Sequence, residues 1–220
     1  MEKQTLARRI EDILSEAKRL VHDIEALQIA DMEYYPENYE KLSIDAAIHG
    51  ERIACRLRHL IYTTTSVMKP AYFRKASGAH DISIIDEDGY IQVTLPSLLP
   101  KRRPMNTEFM TEPLYYALTE YSEANALHKY KECVVCFTHV YAKSLPKRRI
   151  RDYDNIELKH ILDVVAAFIM TDDSGILCDA YSTTELDETD CTRITIMDRE
   201  QFPGWLKKHQ SVLKSISDFY

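Results

Sequence analysis

The side chains best suited to chemistry gather in one part of the C-terminal half: Arg149-Ile-Arg-Asp-Tyr-Asp-Asn-Ile-Glu-Leu-Lys159, then Asp163, then the pair Asp172-Asp173. If Asp152 and Asp154 lie on extended backbone, the two-residue repeat of a strand points both carboxylates to one side, roughly 6 to 7 Å apart. Such a pair can share a hard divalent cation. Magnesium prefers oxygen, keeps several waters and is commonly held by two or three carboxylates together with substrate phosphate oxygens. An ion so placed lowers the pKa of an attacking water and offsets charge on a phosphate being cleaved. Asp173 is the candidate third ligand, but a helix of about fourteen residues would hold it roughly 20 Å from the helix start. Either the strand after Asp173 returns beside Asp152, or a symmetry-related subunit supplies the third carboxylate. Lys159 is placed to hold a phosphate or protonate a leaving oxygen, and Lys147, Arg148, Arg149 and Arg151 to grip flanking phosphates. A plainer account stays open. Asp before a helix is a routine N-cap, here Asp154 or Asn155, and Asp-Asp before Ser-Gly is a routine turn.

The elements around these residues are legible from hydrophobic spacing. Leu6, Ile10, Ile13, Ala17, Leu20, Ile24 and Leu27 alternate steps of four and three, which predicts a helix over residues 5–27 with a coiled-coil seam. Pro36 interrupts, and Tyr39, Leu42, Ala46, Ile53, Leu57 and Leu60 mark a second amphipathic helix ending near Thr63 to Thr65. Residues 1–66 therefore read as a helical hairpin whose seam is covered by its own second helix or by a partner protein. Residues 67–80 read as a linker. In 81–220, runs at Ile82 to Ile85 and Tyr90 to Leu95 flank an Asp-Gly hairpin signal. A helix follows over 112–129, then a buried strand from Cys133 to Tyr141, a basic loop, and a helix through Leu158, Ile161, Val165 and Ile169. Strands near Ile176 to Tyr181 and Arg193 to Met197 and a last helix over 203–219, with Pro203 in its first turn, complete the order. The fold class is α+β: a mixed-sheet domain behind an α-helical hairpin.

Composition narrows the function classes. The chain has 220 residues, 45% of them hydrophobic, and a formal net charge of -7, which argues against a protein that coats nucleic acid indiscriminately. The average hides two basic clusters, Lys101-Arg102-Arg103 and Lys143 with Lys147 to Arg151, offset by acid at Glu185, Asp187, Glu188 and Asp190. Each cluster is either a solvated loop or a phosphate-binding patch. No apolar run approaches the roughly 18 to 20 residues of a membrane span, and the charged N-terminus lacks a secretory signal, so a cytoplasmic location and no membrane partner are expected. Five cysteines in such a chain are expected as reduced thiols. Cys133-x-x-Cys136 with Cys178 and Cys191 could be drawn as a zinc site, but strand alternation sends the first two thiols to opposite faces. His139 and His160 flank the acidic motif, where a structural, hydrogen-bonded role is the better expectation. Tyr115, Tyr116 and Tyr121 could stack on bases, yet their helical spacing favours packing.

Taken together, Asp152-x-Asp154-Asn155, Lys159, Asp163 and Asp172-Asp173 resemble the signature of the RusA-type Holliday-junction resolvases. Members of that family carry Asp-x-Asp-Asn, a lysine, an aspartate four further on and a closing Asp-Asp pair. The likeness extends upstream, where Ile91 to Pro96, then Pro100 and a basic run, are similar to the family's opening strand and proline-rich loop. It spans about residues 90–197 and does not account for the N-terminal helices. The resemblance implies a homodimeric endonuclease that resolves four-way and other branched DNA with magnesium or manganese. Asp152, Asp154 and Asp173 would bind metal, Lys159 would be an essential basic residue, and Asp163, Asp172 and Asn155 would support them. Lys101, Arg102, Arg103, Lys147, Arg148, Arg149 and Arg151 would contact DNA. One departure stands out: a single extra residue separates Asp154 from Lys159, which on a regular helix turns the lysine by about 100°. A bulged first turn would absorb it. Otherwise the expectation is a RusA-like DNA-binding or assembly protein without cleavage, acting through its N-terminal helices, or a structural protein whose acidic cluster is coincidental.

Overall fold

The computed structural model describes residues 3–64, 72, 75–76, 78–87, 89–100, 108–145 and 147–217. The expected contacts of Lys101, Arg102 and Arg103 and most of the expected linker fall outside these residues. The chain divides into two compact units, Met1–Lys69 and Pro70–Tyr220.

The first unit is a pair of helices, α1 (Lys3–Ile29) and α2 (Pro36–Thr64). Pro36 opens α2 instead of merely interrupting the chain; a proline suits the first helical turn, where its missing N–H costs nothing. The connecting turn is held by Asp31, whose carboxylate accepts the N–H groups of Glu33 (2.8 Å) and Tyr34 (2.9 Å). The expected seam needs correcting. Leu6, Ile13, Ala17, Leu20 and Leu27 are half-buried, but Ile10 and Ile24 are 43% and 47% exposed. Glu16, only 4% exposed, takes an inward place. Its Oε1 meets His49 Nδ1 at 2.7 Å and accepts from Arg52 Nη1 at 3.2 Å, and its Oε2 accepts from Arg56 Nη1 at 3.2 Å. Asp23 stands 3.5 Å from the other nitrogen of His49. The cover over Glu16 comes from these long side chains. The hydrogen bond with His49 comes first among the causes that hold its carboxyl below the usual range, against the opposing effect of burial.

The second unit is a five-stranded sheet in the order β1-β2-β5-β3-β4, with β1 (Ser83–Glu87), β2 (Tyr90–Leu95), β3 (Cys133–Ala142), β4 (Cys178–Asp187) and β5 (Cys191–Asp198). All neighbouring pairs are antiparallel except β3 and β4. Gly89 (φ +95°) makes the β1–β2 turn, and a Cβ there would lie 2.0 Å from Gln201 Nε2. The α+β expectation and the mixed sheet hold. Helix α3 (Glu108–Ala124) starts and ends several residues before the expected 112–129, carrying Pro113 within its first turns. β4 and β5 extend beyond the expected strands, so Glu185 and Asp187 belong to β4.

Alternation along the strands builds two cores. Ile91, Val93, Val135, Phe137, Ile194 and Ile196 face Leu114 and Leu118 of α3 and Ile161, Val165 and Ile169 of α4 (Lys159–Ile169). Val134, Cys136 and Met197 point the other way, against Tyr181, Phe202 and Trp205, the last two on α5 (Phe202–Ser217). β3 is buried along its whole length because both faces are covered. No helix among the described residues is long and apolar enough to cross a membrane.

Candidate active site

Because β3 and β4 are parallel and joined through α4, the chain leaving β3 emerges at the carboxyl ends of both strands. Asp152-Tyr153-Asp154 lies there. Asp152 is extended (φ −67°, ψ 140°), but Asp154 sits in a single 3-10 turn, η2 (Tyr153–Asn155). The expectation that strand alternation sets both carboxylates to one side is therefore corrected: the turn, not a strand, positions them. Neither acts as the routine cap. Asp152 makes no side-chain cap bond to η2, and the residue preceding α4 is Leu158. Asp152, Asp154 and Asn155 are all exposed.

Several contacts fix the turn. The Tyr153 ring stacks on His139 (centroids 5.7 Å, planes 29° apart), and its hydroxyl is 3.0 Å from Thr184 Oγ1 on β4. The Arg151 N–H donates to Tyr141 Oη at 3.1 Å. Two donors from this loop hold the segment before the first basic cluster: Arg151 Nη1 reaches Leu99 O at 2.8 Å, and Glu157 N reaches Pro100 O at 3.0 Å. Leu99 and Pro100, about 50 positions upstream in the sequence, thereby enter the same neighbourhood. His139 is 1% exposed, with no partner for Nε2 among the described residues. Burial, then the charge of Arg151, lowers its pKa to about 4, so the ring is neutral at pH 7.

The extra residue before Lys159 has a specific place. Residues 156–158 are not helical, and α4 begins at Lys159 itself, correcting the expected helix start after Asn155. Since no helical turn separates Asp154 from Lys159, the 100° rotation does not arise. Glu157 is buried, and its carboxylate accepts from His160 at the backbone N (3.4 Å) and pairs with His160 Nδ1 (3.0 Å). Burial pushes this carboxyl up, but the His160 hydrogen bonds outweigh it and hold it below its usual range. His160 thus has the structural role expected for it. Lys159 is exposed at the first position of α4, and Asp163 is exposed one turn later.

The basic residues divide into two groups. Lys147 and Arg148 are exposed on the 3-10 turn η1 (Lys147–Arg149). Arg149 is ion-paired with Asp190, and Arg151 is occupied by the Leu99 carbonyl. Arg193 bonds two acids of β4, Glu185 at 2.6 Å and Asp187 at 3.1 Å.

Asp172 and Asp173 lie at the opposite end of the parallel pair. Asp173 immediately precedes a turn in which Leu177 N and Cys178 N both donate to Ser174 O (2.9 and 2.8 Å). Cys178 is in register with Cys133, whereas Thr184, which holds Tyr153, is in register with His139. Those registers differ by six residues, about 20 Å of strand rise. Within one chain the Asp152–Asp154 turn and Asp173 do not meet, and among the described residues no group of three or more His, Cys, Asp or Glu side chains stands ready for a metal ion. Cys133 and Cys136 occupy opposite cores, as alternation requires, and all five cysteines are free thiols.

One constellation carries no sequence signal, because its members come from two distant elements. His209 on α5 places Nε2 3.1 Å from Thr183 Oγ1 and Nδ1 2.9 Å from Glu185 Oε1. Burial lowers the His209 pKa against the pull of Glu185. The order hydroxyl, imidazole, carboxylate is that of a nucleophile relay, but Thr183 is 5% exposed. The three act as a polar anchor fastening α5 to β4.

A family model described as a family of unknown function, DUF6100, matches residues 2–220. No curated protein matches the chain. Among solved structures, the periplasmic domain of Helicobacter pylori MotB is similar at 12% identity and a TM-score of 0.33, over 61% of this chain and 88% of that one. The cell wall anchor of the T6SS from Pseudomonas aeruginosa is similar at 12% identity and a TM-score of 0.34, over 60% of this chain and 98% of that one. Scores at this level carry no argument about function.

Proposed function

Because the chain belongs to DUF6100, a family of unknown function, over residues 2–220, we propose its activity from its own side chains: it is a RusA-type, metal-dependent endodeoxyribonuclease for branched DNA, acting as a homodimer. The observation that carries this reading is the convergence at the carboxyl ends of β3 and β4. Two exposed carboxylates unused for capping, Asp152 and Asp154, sit between the basic turn at Lys147–Arg149 and Lys159 at a helix N-terminus, with the segment preceding Lys101 tied to the same loop. That is an arrangement for a phosphodiester: cations to hold flanking phosphates and acids to hold a hard ion beside them.

One chain does not supply a full magnesium site. A second copy related by a two-fold axis would complete it, with Asp152 and Asp154 of one subunit meeting Asp173 of the other. A four-way junction, itself two-fold, favours paired sites of this kind. When bound, magnesium or manganese would supply an activated water and charge neutralisation. The protein's part is to hold the turn through His139, Tyr153 and Thr184, and to set Lys159 at the start of α4. The expected DNA contacts of Lys147 and Arg148 have exposed side chains behind them; Arg149 and Arg151 act mainly by holding the loop.

The test is cleavage of a labelled synthetic junction by the full-length protein in magnesium and in manganese. Cleavage lost in Asp154→Asn supports the proposal. Binding of the junction without cleavage in either metal moves the protein to the DNA-binding or assembly role, and neither binding nor cleavage rejects both.

A further inference from the structure

We propose that Cys133 and Cys178 form an oxidation site, in which a hydroperoxide converts the two thiols into a reversible intrachain disulfide beside the Asp173 turn. The two residues are register partners on the parallel strands β3 and β4 and share one core. Adjacent strands lie about 4.8 Å apart, inside the Cα separation of about 4.4 to 6.8 Å that disulfides accept. Each is the first residue of its strand, where the ladder can yield to the shorter Cβ distance a disulfide needs. Some strain favours a labile bond over a permanent one.

The surroundings distinguish the roles. Cys133 is fully buried, while Cys178 is 8% exposed beneath the turn that carries exposed Gly175 and Ile176. The Cys178 thiol donates to Asp179 O at 3.7 Å. Its greater exposure at the surface turn makes Cys178 the attacking sulfur and buried Cys133 the resolving one. Cys178 takes the terminal oxygen of the hydroperoxide, whose O–O bond breaks and releases an alcohol or water, leaving a sulfenic acid. The Cys133 thiol then attacks that sulfur: the S–S bond forms, the S–O bond breaks, and hydroxide leaves with the thiol proton as water. Two electrons pass from the thiols to the peroxide. Cys136, alone in the opposite core and pushed by burial to about 12, has no comparable route.

The consequence for cleavage rests on the proposed function. Cys178 N helps close the turn that Asp173 precedes, so drawing Cys178 toward β3 shifts a metal-binding carboxylate. Full-length protein would be treated with hydrogen peroxide, quenched, and examined by intact mass and non-reduced peptide mapping. The expected result is a loss of two hydrogens, a Cys133–Cys178 linked peptide, and a fall from five titratable thiols to three, all reversed by dithiothreitol and absent in Cys178→Ser. Wild type that yields no such peptide while exposed Cys55 is modified overturns the site, without reliance on any variant folding. Junction cleavage by the oxidised form is expected to fall on the order of tenfold. If the disulfide forms but the reduced protein cuts no DNA, the oxidation site stands and the nuclease reading fails. If reduced protein cuts and the disulfide leaves cutting unchanged, the link to Asp173 is overturned.

Discussion

Mixing two variants that the proposed function expects to be inactive tests the proposed shared site directly. Asp154→Asn removes a carboxylate from the turn after β3, and Asp173→Asn removes one from the other end of the β3–β4 pair, about 20 Å away by strand rise. Magnesium binds oxygen at about 2.1 Å, so a gap of that size cannot be closed within one chain by side-chain movement. In a dimer with sites built across subunits, each variant alone has two damaged sites. When the two are refolded together, random association makes about half the dimers mixed. Each mixed dimer has one site with both substitutions and one with none. Nicking should therefore return to about a quarter of the wild-type rate, from near zero for either variant alone. The assay is single-strand nicking of a labelled junction in magnesium, with equal total protein in every arm. A mixture no more active than its components, beside a wild type that cuts, refutes assembly of the site across subunits.

Other expectations concern the supports of the site and the hairpin. His139 is held neutral, with a folded pKa of about 4 against 6.5 unfolded, so its contribution is present above pH 6.5 and is lost as pH falls toward 4. The gap is worth about 3 kcal/mol at most. His139→Phe, which replaces an unpartnered buried nitrogen with an apolar edge, should remove that part of the acid sensitivity in urea unfolding followed across this range; an unchanged pH dependence would contradict the assignment. Glu16→Ala leaves His49, Arg52 and Arg56 without their shared carboxylate, and circular dichroism should show helix lost at lower urea than in Glu25→Ala, a change at an exposed position of the same helix. Glu16 stability, with its pKa lowered, should also fade as pH drops through the carboxylate range. Gly89→Ala forces a left-handed backbone onto a side chain and a Cβ into Gln201. It should cost about 1 to 2 kcal/mol from the backbone alone, and Gln201→Ala in the same chain should recover only the part due to the clash.

The order of elements was readable because each carries its own period: the four-three steps of α1, the alternation of β2, the Asp-Gly turn at Gly89. Boundaries shifted where tertiary contacts override local signals. β4 runs on through Glu185 and Asp187 because Arg193, on β5 and one strand removed across β3, neutralises them, a partner no local window contains. α4 starts late because Glu157 is bound to Pro100 O and His160. The acidic turn was legible as residue types, but not its geometry, which depends on stacking between Tyr153 and His139 from separate elements. Spacing along the chain also had no means of revealing that Asp173 lies at the far end of the strands. The Thr183–His209–Glu185 anchor was hidden for the same reason.

The side chains that meet Glu16 come from positions 49, 52 and 56, successive turns of α2. Sliding one helix past the other by a turn would strand an uncompensated carboxylate, so the contact selects a single alignment. Nothing in that selection depends on which polypeptide contributes α2. An exchanged helix from a neighbouring copy would satisfy Glu16 equally well, and the same lock that fixes register leaves the pairing indifferent to whether it closes within one molecule or joins two.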